Sequence, residues 1–254
     1  MGIADLNNIE KGNIYFFYQP KVEHPNISGT SDVQRMFMIV HPDNKNYYRV
    51  VVIGKKKLPS PEKSGHKRYW GFISLVTEKL EKLHDEIGPQ EYETRTRGER
   101  HIPSARPFGE GVYRFVQHGS HTHFAYVLEL PREPAAVQEK FNVEDEASFI
   151  ITIKNPQKPS PPGMSRSQPE QPEYPSELER AFENKRFSEL KPVELLDYTG
   201  TEFILIASSE DIRNELGIDM QSDLENGCIA DIFKDLKLDI SKTVKKPLFK
   251  GEWE

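Results

Sequence analysis

The chain has 254 residues, of which 36% are hydrophobic, 10% aromatic and 29% charged, and its formal net charge is −6. This composition excludes an intrinsically disordered chain and is typical of a globular protein that buries a core. No stretch reaches the roughly 18 consecutive apolar residues that a membrane span requires, and residues 1–11 lack the apolar segment of a secretory signal, so we expect a cytoplasmic protein with no membrane contact.

Short runs of β-branched and aromatic residues predict the strands of the first part of the chain. These runs are residues 14–18, 36–40, 47–53, 70–76, 112–116, 124–130 and 149–153. Two β-hairpins are predicted, because turn-forming residues follow the second run and Gly119 follows the fifth run. Apolar residues at helical spacing predict a helix over 77–87, and a second short helix is predicted over 134–141.

The rest of the chain begins with a proline-rich segment. Residues 155–175 contain seven prolines and no apolar periodicity, which predicts a linker or a long surface loop. Beyond it we expect strands over 193–198 and 203–207 and helices over 176–184 and 229–238. A further helix is expected to begin at a Ser208 or Ser209 cap and to end near Gly217. The apolar residues Leu248, Phe249 and Trp253 predict that the tail docks on the body of the protein.

These elements predict a fold class and a division of the chain. The gaps between strands are too short for the helical crossovers of a parallel sheet. We therefore expect an α+β protein with a mainly antiparallel curved sheet or small barrel, a few short helices and a smaller α/β C-terminal part. The expected division is a strand-rich domain over 1–155, a linker or loop over 156–175, and a part over 176–254 that either packs on the first sheet or extends it.

An arginine-dense segment follows the first predicted helix. Residues 92–111 hold glycines and prolines that predict a structured loop, and their cationic and histidine side chains are Arg95, Arg97, Arg100, His101 and Arg106. Guanidinium groups present planar pairs of donors that fit phosphate or carboxylate oxygens, so the segment predicts an anion site. Alternatively, these arginines pair on the surface with the glutamates of the same segment.

A histidine cluster comes next, at His118, His121 and His123. If a strand begins at Thr122, His121 and His123 point to the same face, because strand side chains alternate. They could then bind a divalent metal with Glu99 or Glu110 as a further ligand, or act as an acid–base pair. A solvated surface strand is the other interpretation. Because Cys228 is the only cysteine, any bound metal would depend on histidines and carboxylates.

A second basic segment adjoins an aromatic run. Its basic residues are Lys55, Lys56, Lys57, Lys67 and Arg68. Basic side chains beside aromatic rings can follow a phosphate backbone while the rings stack on bases. The alternative is a solvated loop next to a strand whose Trp70 and Phe72 face the core. Between Lys45 and Arg114 the chain holds 15 basic and 9 acidic residues, which favours an anionic partner.

Several stretches resemble known proteins. Residues 11–18 (KGNIYFFY), 94–113, 121–126 (HTHFAY) and 249–253 (FKGEW) together resemble a prokaryotic family of unknown activity. That resemblance does not identify an activity, a cofactor or a catalytic residue. Lys11-Gly12-Asn13 before an apolar strand also resembles the PUA-like barrels that read nucleic acids.

Three functional hypotheses follow. The leading one is a binding or regulatory protein that engages RNA or another phosphate-bearing ligand through its arginine- and lysine-rich face. The second is a metal-assisted phosphoester hydrolase that uses the histidine cluster, with the arginines as a clamp for substrate. The third is an assembly factor that binds a protein partner through the acidic second half and the aromatic tail. Whether the protein is an enzyme stays open at this stage.

Overall fold

The structure, a computed structural model, describes residues 7–24, 26–60, 67–96, 98–161, 170–221, 224 and 230–253. The strands within these residues are β1 (Asn7–Pro20), β2 (Val33–Pro42), β3 (Tyr48–Ile53), β4 (Arg68–Thr77), β5 (Gln90–Thr94), β6 (Gly98–Ile102), β7 (Arg106–His118), β8 (His121–Leu130), β9 (Glu146–Lys154), β10 (Phe187–Glu189) and β11 (Glu202–Ser209). The α-helices are α1 (Leu80–Ile87), α2 (Ala136–Phe141), α3 (Ser176–Glu179), α4 (Ile212–Leu216), α5 (Asp231–Asp235) and α6 (Lys246–Lys250). Three short 3-10 helices cover Thr30–Asp32, Arg180–Phe182 and Val193–Asp197.

Eight strands close into a barrel. Their order is β9, β11, β4, β3, β2, β1, β7 and β8, and a β8–β9 pairing closes the circle. All of these neighbours are antiparallel, and the predicted small antiparallel barrel with few short helices is confirmed. Because β11 follows the proline-rich segment in the chain, the residues on both sides of that segment supply barrel strands. The predicted domain boundaries stay predictions.

Side chains of the barrel strands alternate between the interior and an outer apolar layer. In β3, Val51 and Ile53 point into the barrel, whereas Val50 and Val52 belong to the outer layer. Large aromatic side chains, among them Phe16 and Phe124, fill the interior. The cavity that remains there is only about 20 Å³ in volume, enough for about one water molecule. The interior is therefore a packed core.

Helical segments cover both the wall and the ends of the barrel. Apolar residues of α1 and α5 pack on the outer layer of β1, β2 and β3. At one end, Phe141 of α2 stacks on Tyr18, and Trp253 contacts both rings with centroid distances of 5.9 and 5.5 Å. This confirms the expectation that the tail docks on the body. No helix within the described parts of the chain is both long and apolar enough to cross a membrane.

Two segments differ from the sequence-based predictions. Residues 193–198 were predicted as a strand, and this is wrong because Val193–Asp197 is a 3-10 helix. Its consecutive residues Leu195 and Leu196 are both buried in the barrel core, which the alternation of a strand would not permit. Residues 92–111 were predicted as a loop, but β5 and β6 form a hairpin there that continues into β7. The side chains of this hairpin are mostly exposed, so it lacks the apolar run from which the other strands are predicted.

The antiparallel topology sorts the connections between the two ends of the barrel. One end, here called the basic end, carries the β1–β2 loop, the β3–β4 connection and the β6–β7 connection. The other, here called the hairpin end, carries the β2–β3 and β7–β8 turns. The basic segments predicted from the sequence therefore share one end of the barrel, and the turn of the histidine cluster lies at the other.

Candidate anion-binding pocket

The predicted basic residues gather at the basic end without converging on one point. Lys55 is exposed in the turn after β3, and the Lys56 ammonium donates to the Val33 carbonyl at 2.8 Å. Burial, followed by the charge of Lys21, lowers the pKa of Lys56. The remaining members of this group, half-buried or exposed, are Lys57, Lys67 and Arg68. At the basic end, cations of the β1–β2 loop and of the β3–β4 connection therefore lie close together.

The arginine segment is divided between the hairpin and the barrel wall. Arg95 is exposed at the β5–β6 turn, and Arg97 lies outside the described residues, as does Cys228. Arg100 lies 4.0 Å from Glu23 of the β1–β2 loop. The Nδ1 atom of His101 lies 3.8 Å from Glu91. Arg106 differs from these residues because it begins β7 and is only 8% exposed.

The three histidines occupy the opposite end of the barrel from the arginines. His118 and His121 are paired in register beside the β7–β8 turn, and the ring centroids of His118 and His123 are 5.7 Å apart. His123 is buried on the outer wall, with Nδ1 3.8 Å from a carboxylate oxygen of Glu215 in α4. Burial lowers the pKa of His123, and Glu215 opposes this shift.

This arrangement does not favour the metal-assisted hydrolase. The part of the chain that the structure describes contains no group of three or more His, Cys, Asp or Glu side chains that could hold a metal ion. The hydroxyls of Ser148 and Ser208 donate to Glu215, so that its carboxylate serves the packing of α4. An arginine clamp on the same substrate would also have to reach across the barrel. Metal binding at His118, His121 and His123 stays a prediction without geometric support.

A pocket of about 520 Å³ lies beside the basic end, and its volume is within the range of small-molecule sites. Its walls come from the C-terminal end of α1, the β6–β7 connection and the segment that follows α5. The Ala105 N–H donates to the Ile87 carbonyl at 2.7 Å, which joins the first two walls. Gly88 ends α1 where a Cβ atom would meet the His84 carbonyl oxygen at 2.5 Å. A glycine is therefore needed at this corner of the pocket.

The lining combines an apolar wall with an excess of cations. Three cationic side chains, Arg106, Lys237 and Lys242, line the pocket together with one carboxylate, Asp239. Asp239 pairs with Lys242 at 3.5 Å. The apolar wall comprises Phe17, Ile87, Leu238 and Val244. Such a lining is suited to a ligand with an anionic group and an apolar body.

Lys237 has an uncommon backbone conformation. It follows α5 with a φ angle of 48°, in the left-handed region that glycine adopts at low cost and lysine does not. Residues held in such conformations concentrate at functional sites. Six other described non-glycine residues also have a positive φ angle, so the assignment of Lys237 to the pocket rests on its place in the lining.

Sequence reasoning identified only one cation of this pocket, Arg106. It missed Lys237 and Lys242, which belong to the acidic second part of the chain and show no local pattern. Only the docking of α5 against the barrel brings them beside Arg106.

A second cavity, of about 410 Å³, lies at the hairpin end. Its carboxylates Glu10 and Asp197 bind the fully buried Arg49. Glu10 accepts two guanidinium hydrogen bonds, at 2.5 and 2.9 Å, and Asp197 accepts one from Nε at 2.7 Å. These two carboxylates therefore have a structural role, because they neutralise a core arginine.

No family model, curated protein or solved structure matches this chain.

Proposed function

We propose that this protein binds a small ligand that has a phosphate or carboxylate group and an apolar body, in the pocket between α1, the β6–β7 connection and the segment after α5. The observation that carries the proposal is the lining of the 520 Å³ pocket, where three cations face one carboxylate beside an apolar wall. This lining supports a binding or regulatory role.

The roles of the lining residues follow from their chemistry. The Arg106 guanidinium can donate to an oxygen of a phosphate or carboxylate, and its burial strengthens such a contact. Lys237 and Lys242 are exposed, and they add point charges that attract the anionic group. The apolar wall stabilises the body of the ligand by about 25 cal/mol for each Å² of apolar surface that is buried.

A fluorescent probe tests the proposal directly. 8-Anilinonaphthalene-1-sulfonate combines an aromatic body with an anionic group, and its emission rises when it leaves water. We expect Lys242→Ala to weaken its binding about 5-fold, because one cation worth about 1 kcal/mol is removed. Ala105→Phe should abolish binding by filling the pocket. Adenosine monophosphate should displace the probe more effectively than inorganic phosphate, which has no apolar body.

Lys140→Ala is the matched control, because Lys140 is an exposed lysine on α2 outside the pocket lining. Thermal unfolding of each variant verifies that the fold is retained. Equal probe affinity in the wild type, Lys242→Ala and Ala105→Phe would refute the proposed site.

RNA binding across the basic end is a second candidate function. It is supported by the position of the β1–β2 loop, the β3–β4 connection and the β6–β7 connection at one end of the barrel, which gathers Lys21, Lys55 and Arg100 there. Binding of a labelled single-stranded oligoribonucleotide should weaken steeply with salt, because phosphate contacts release counterions. Lys55→Ala should weaken it further, whereas Lys191→Ala at the hairpin end should not. Salt-independent binding, or equal loss in both variants, would contradict this candidate.

A further inference from the structure

We propose that α5 is a pH-responsive wall of the anion-binding pocket, docked firmly at mildly acidic pH and released as the pH rises past neutrality. The inference rests on the proposed function, because Lys237, Leu238 and Asp239 of the pocket lining directly follow α5. Release of α5 would remove that wall and weaken ligand binding.

The helix cannot hold its position alone. α5 has five residues, far fewer than an isolated helix needs to be stable in water. Ile232, Phe233 and Leu236 anchor it by packing on the outer apolar layer of the barrel. Its remaining anchors are polar contacts at its two ends, and most of them involve titratable side chains.

Glu110 of β7 holds the N-terminal end of α5. Its two carboxylate oxygens accept hydrogen bonds from the backbone N–H groups of Asp231 at 3.2 Å and Ile232 at 2.9 Å. Glu110 is only 2% exposed where α5 covers it. Undocking of α5 would therefore return this carboxyl group to water.

Asp235 holds the C-terminal end. Its carboxylate accepts hydrogen bonds from the Tyr15 hydroxyl at 2.6 Å and the Asn13 amide at 3.2 Å, and it lies 4.0 Å from Nδ1 of His41. The backbone carbonyls beside it are also bound, because the Tyr48 hydroxyl donates to Asp235 and Nε2 of His84 lies 2.7 Å from the Leu236 oxygen. Three barrel strands, β1, β2 and β3, thus meet α1 at this end.

Glu110 is the first pH-sensitive anchor. Burial raises the pKa of Glu110 to about 7, and the charges of Glu129 and Asp231 act in the same direction, whereas the two backbone N–H groups oppose them. The raised pKa means that the protonated group favours docking, and that this contribution is lost as the pH rises from 4.5 through about 7. The difference between a pKa of 4.5 for the undocked group and about 7 for the docked group corresponds to about a 300-fold change in the docking equilibrium.

His41 is the second pH-sensitive anchor, and its sign is the same. Asp235 raises the pKa of His41 most, and the Lys45 carbonyl and Asp43 add to the shift, against the effect of burial. Nε2 lies 3.1 Å from the Lys45 oxygen while Nδ1 faces Asp235, so both ring nitrogens face acceptors, which suits the doubly protonated ring. Its contribution to docking is therefore lost as the pH rises above the raised pKa.

The other groups around α5 do not reverse this direction. His41 lowers the pKa of Asp235 to about 2, so Asp235 stays ionised from about pH 4 upward and does not titrate where Glu110 does. Burial raises the pKa of Tyr15, which therefore stays a neutral donor. Docking should therefore be strongest near pH 4 to 4.5 and weaken progressively as the pH rises to about 7 to 8.

Hydrogen exchange of the full chain without ligand tests the docking step. Amide protection of residues 231–236, corrected for the intrinsic pH dependence of exchange, should fall about 100-fold between pH 5.5 and 8.5, while protection in β7 and β8 should change little. Glu110→Gln should flatten most of this dependence, and His41→Gln should remove a further part. Glu86→Gln is the matched control, because burial also raises the pKa of Glu86 but this residue faces Ser74 and Arg35.

The outcomes separate the two proposals. Protection of α5 that does not depend on pH, or that keeps its wild-type pH dependence in both Glu110→Gln and His41→Gln, would overturn the pH-responsive wall. If protection falls but the anilinonaphthalene sulfonate probe binds equally at pH 5.5 and 8.5, α5 does not control the pocket. If the probe binds at neither pH while protection still falls, the proposed function fails and the pH-dependent docking of α5 stands.

Discussion

Replacing Lys237 with glycine should change stability and ligand binding in opposite directions. The left-handed conformation of Lys237, with φ at 48°, costs a non-glycine residue about 1 to 2 kcal/mol. Glycine removes this cost but adds about 0.5 to 1 kcal/mol of backbone entropy in the unfolded chain. We therefore expect Lys237→Gly to raise the free energy of unfolding by about 0.5 to 1 kcal/mol.

The same substitution removes one of the three cations in the pocket. An exposed cation close to an anionic group is worth about 1 kcal/mol, so binding of the anilinonaphthalene sulfonate probe should weaken about 5-fold. Urea denaturation followed by fluorescence gives the change in stability, and a probe titration at pH 6 gives the change in affinity.

Glu183→Gly is the matched control for this experiment. Glu183 has a φ angle of 46° but is exposed at the C-terminal end of a 3-10 helix outside the pocket lining. This substitution should stabilise the fold by a similar amount and leave probe affinity unchanged. If Lys237→Gly binds the probe as tightly as Glu183→Gly does, the Lys237 side chain has no role in the pocket and the reasoning is refuted.

Two further predictions concern the framework of the barrel, one at the hairpin end and one beside the pocket. Arg49→Met should lower the free energy of unfolding by about 3 to 5 kcal/mol at pH 7, because it leaves Glu10 and Asp197 without their buried cation. Adding Glu10→Gln and Asp197→Asn should restore much of the lost stability, because no unpaired charge then remains. Urea denaturation of the single and triple variants measures this, and a triple variant as unstable as the single one would contradict the explanation. Gly88→Ala should destabilise the protein and weaken probe binding, because its Cβ would lie 2.5 Å from the His84 oxygen, and unchanged thermal unfolding would show that the α1 corner adapts.

The sequence predicted most of the barrel because barrel strands carry a local pattern. In β2 and β3, apolar residues form continuous runs, since one face meets the barrel core and the other meets the helices outside. The β5–β6 hairpin has no buried face for most of its length, so its residues resemble a loop. The 3-10 helix at Val193–Asp197 resembles a strand in composition, and only its position at the end of the barrel explains why both leucines point inward.

The sequence by itself determined the fold class, the strands of the barrel and the two basic segments, because short apolar runs and side-chain chemistry are local properties. The tertiary structure alone decided which polar side chains meet. It separated the histidines from the arginines, because antiparallel strands send successive connections to opposite ends. It also brought Arg106 beside Lys237 and Lys242, because α5 packs its apolar face on the outer wall of the barrel and carries the following segment to the start of β7.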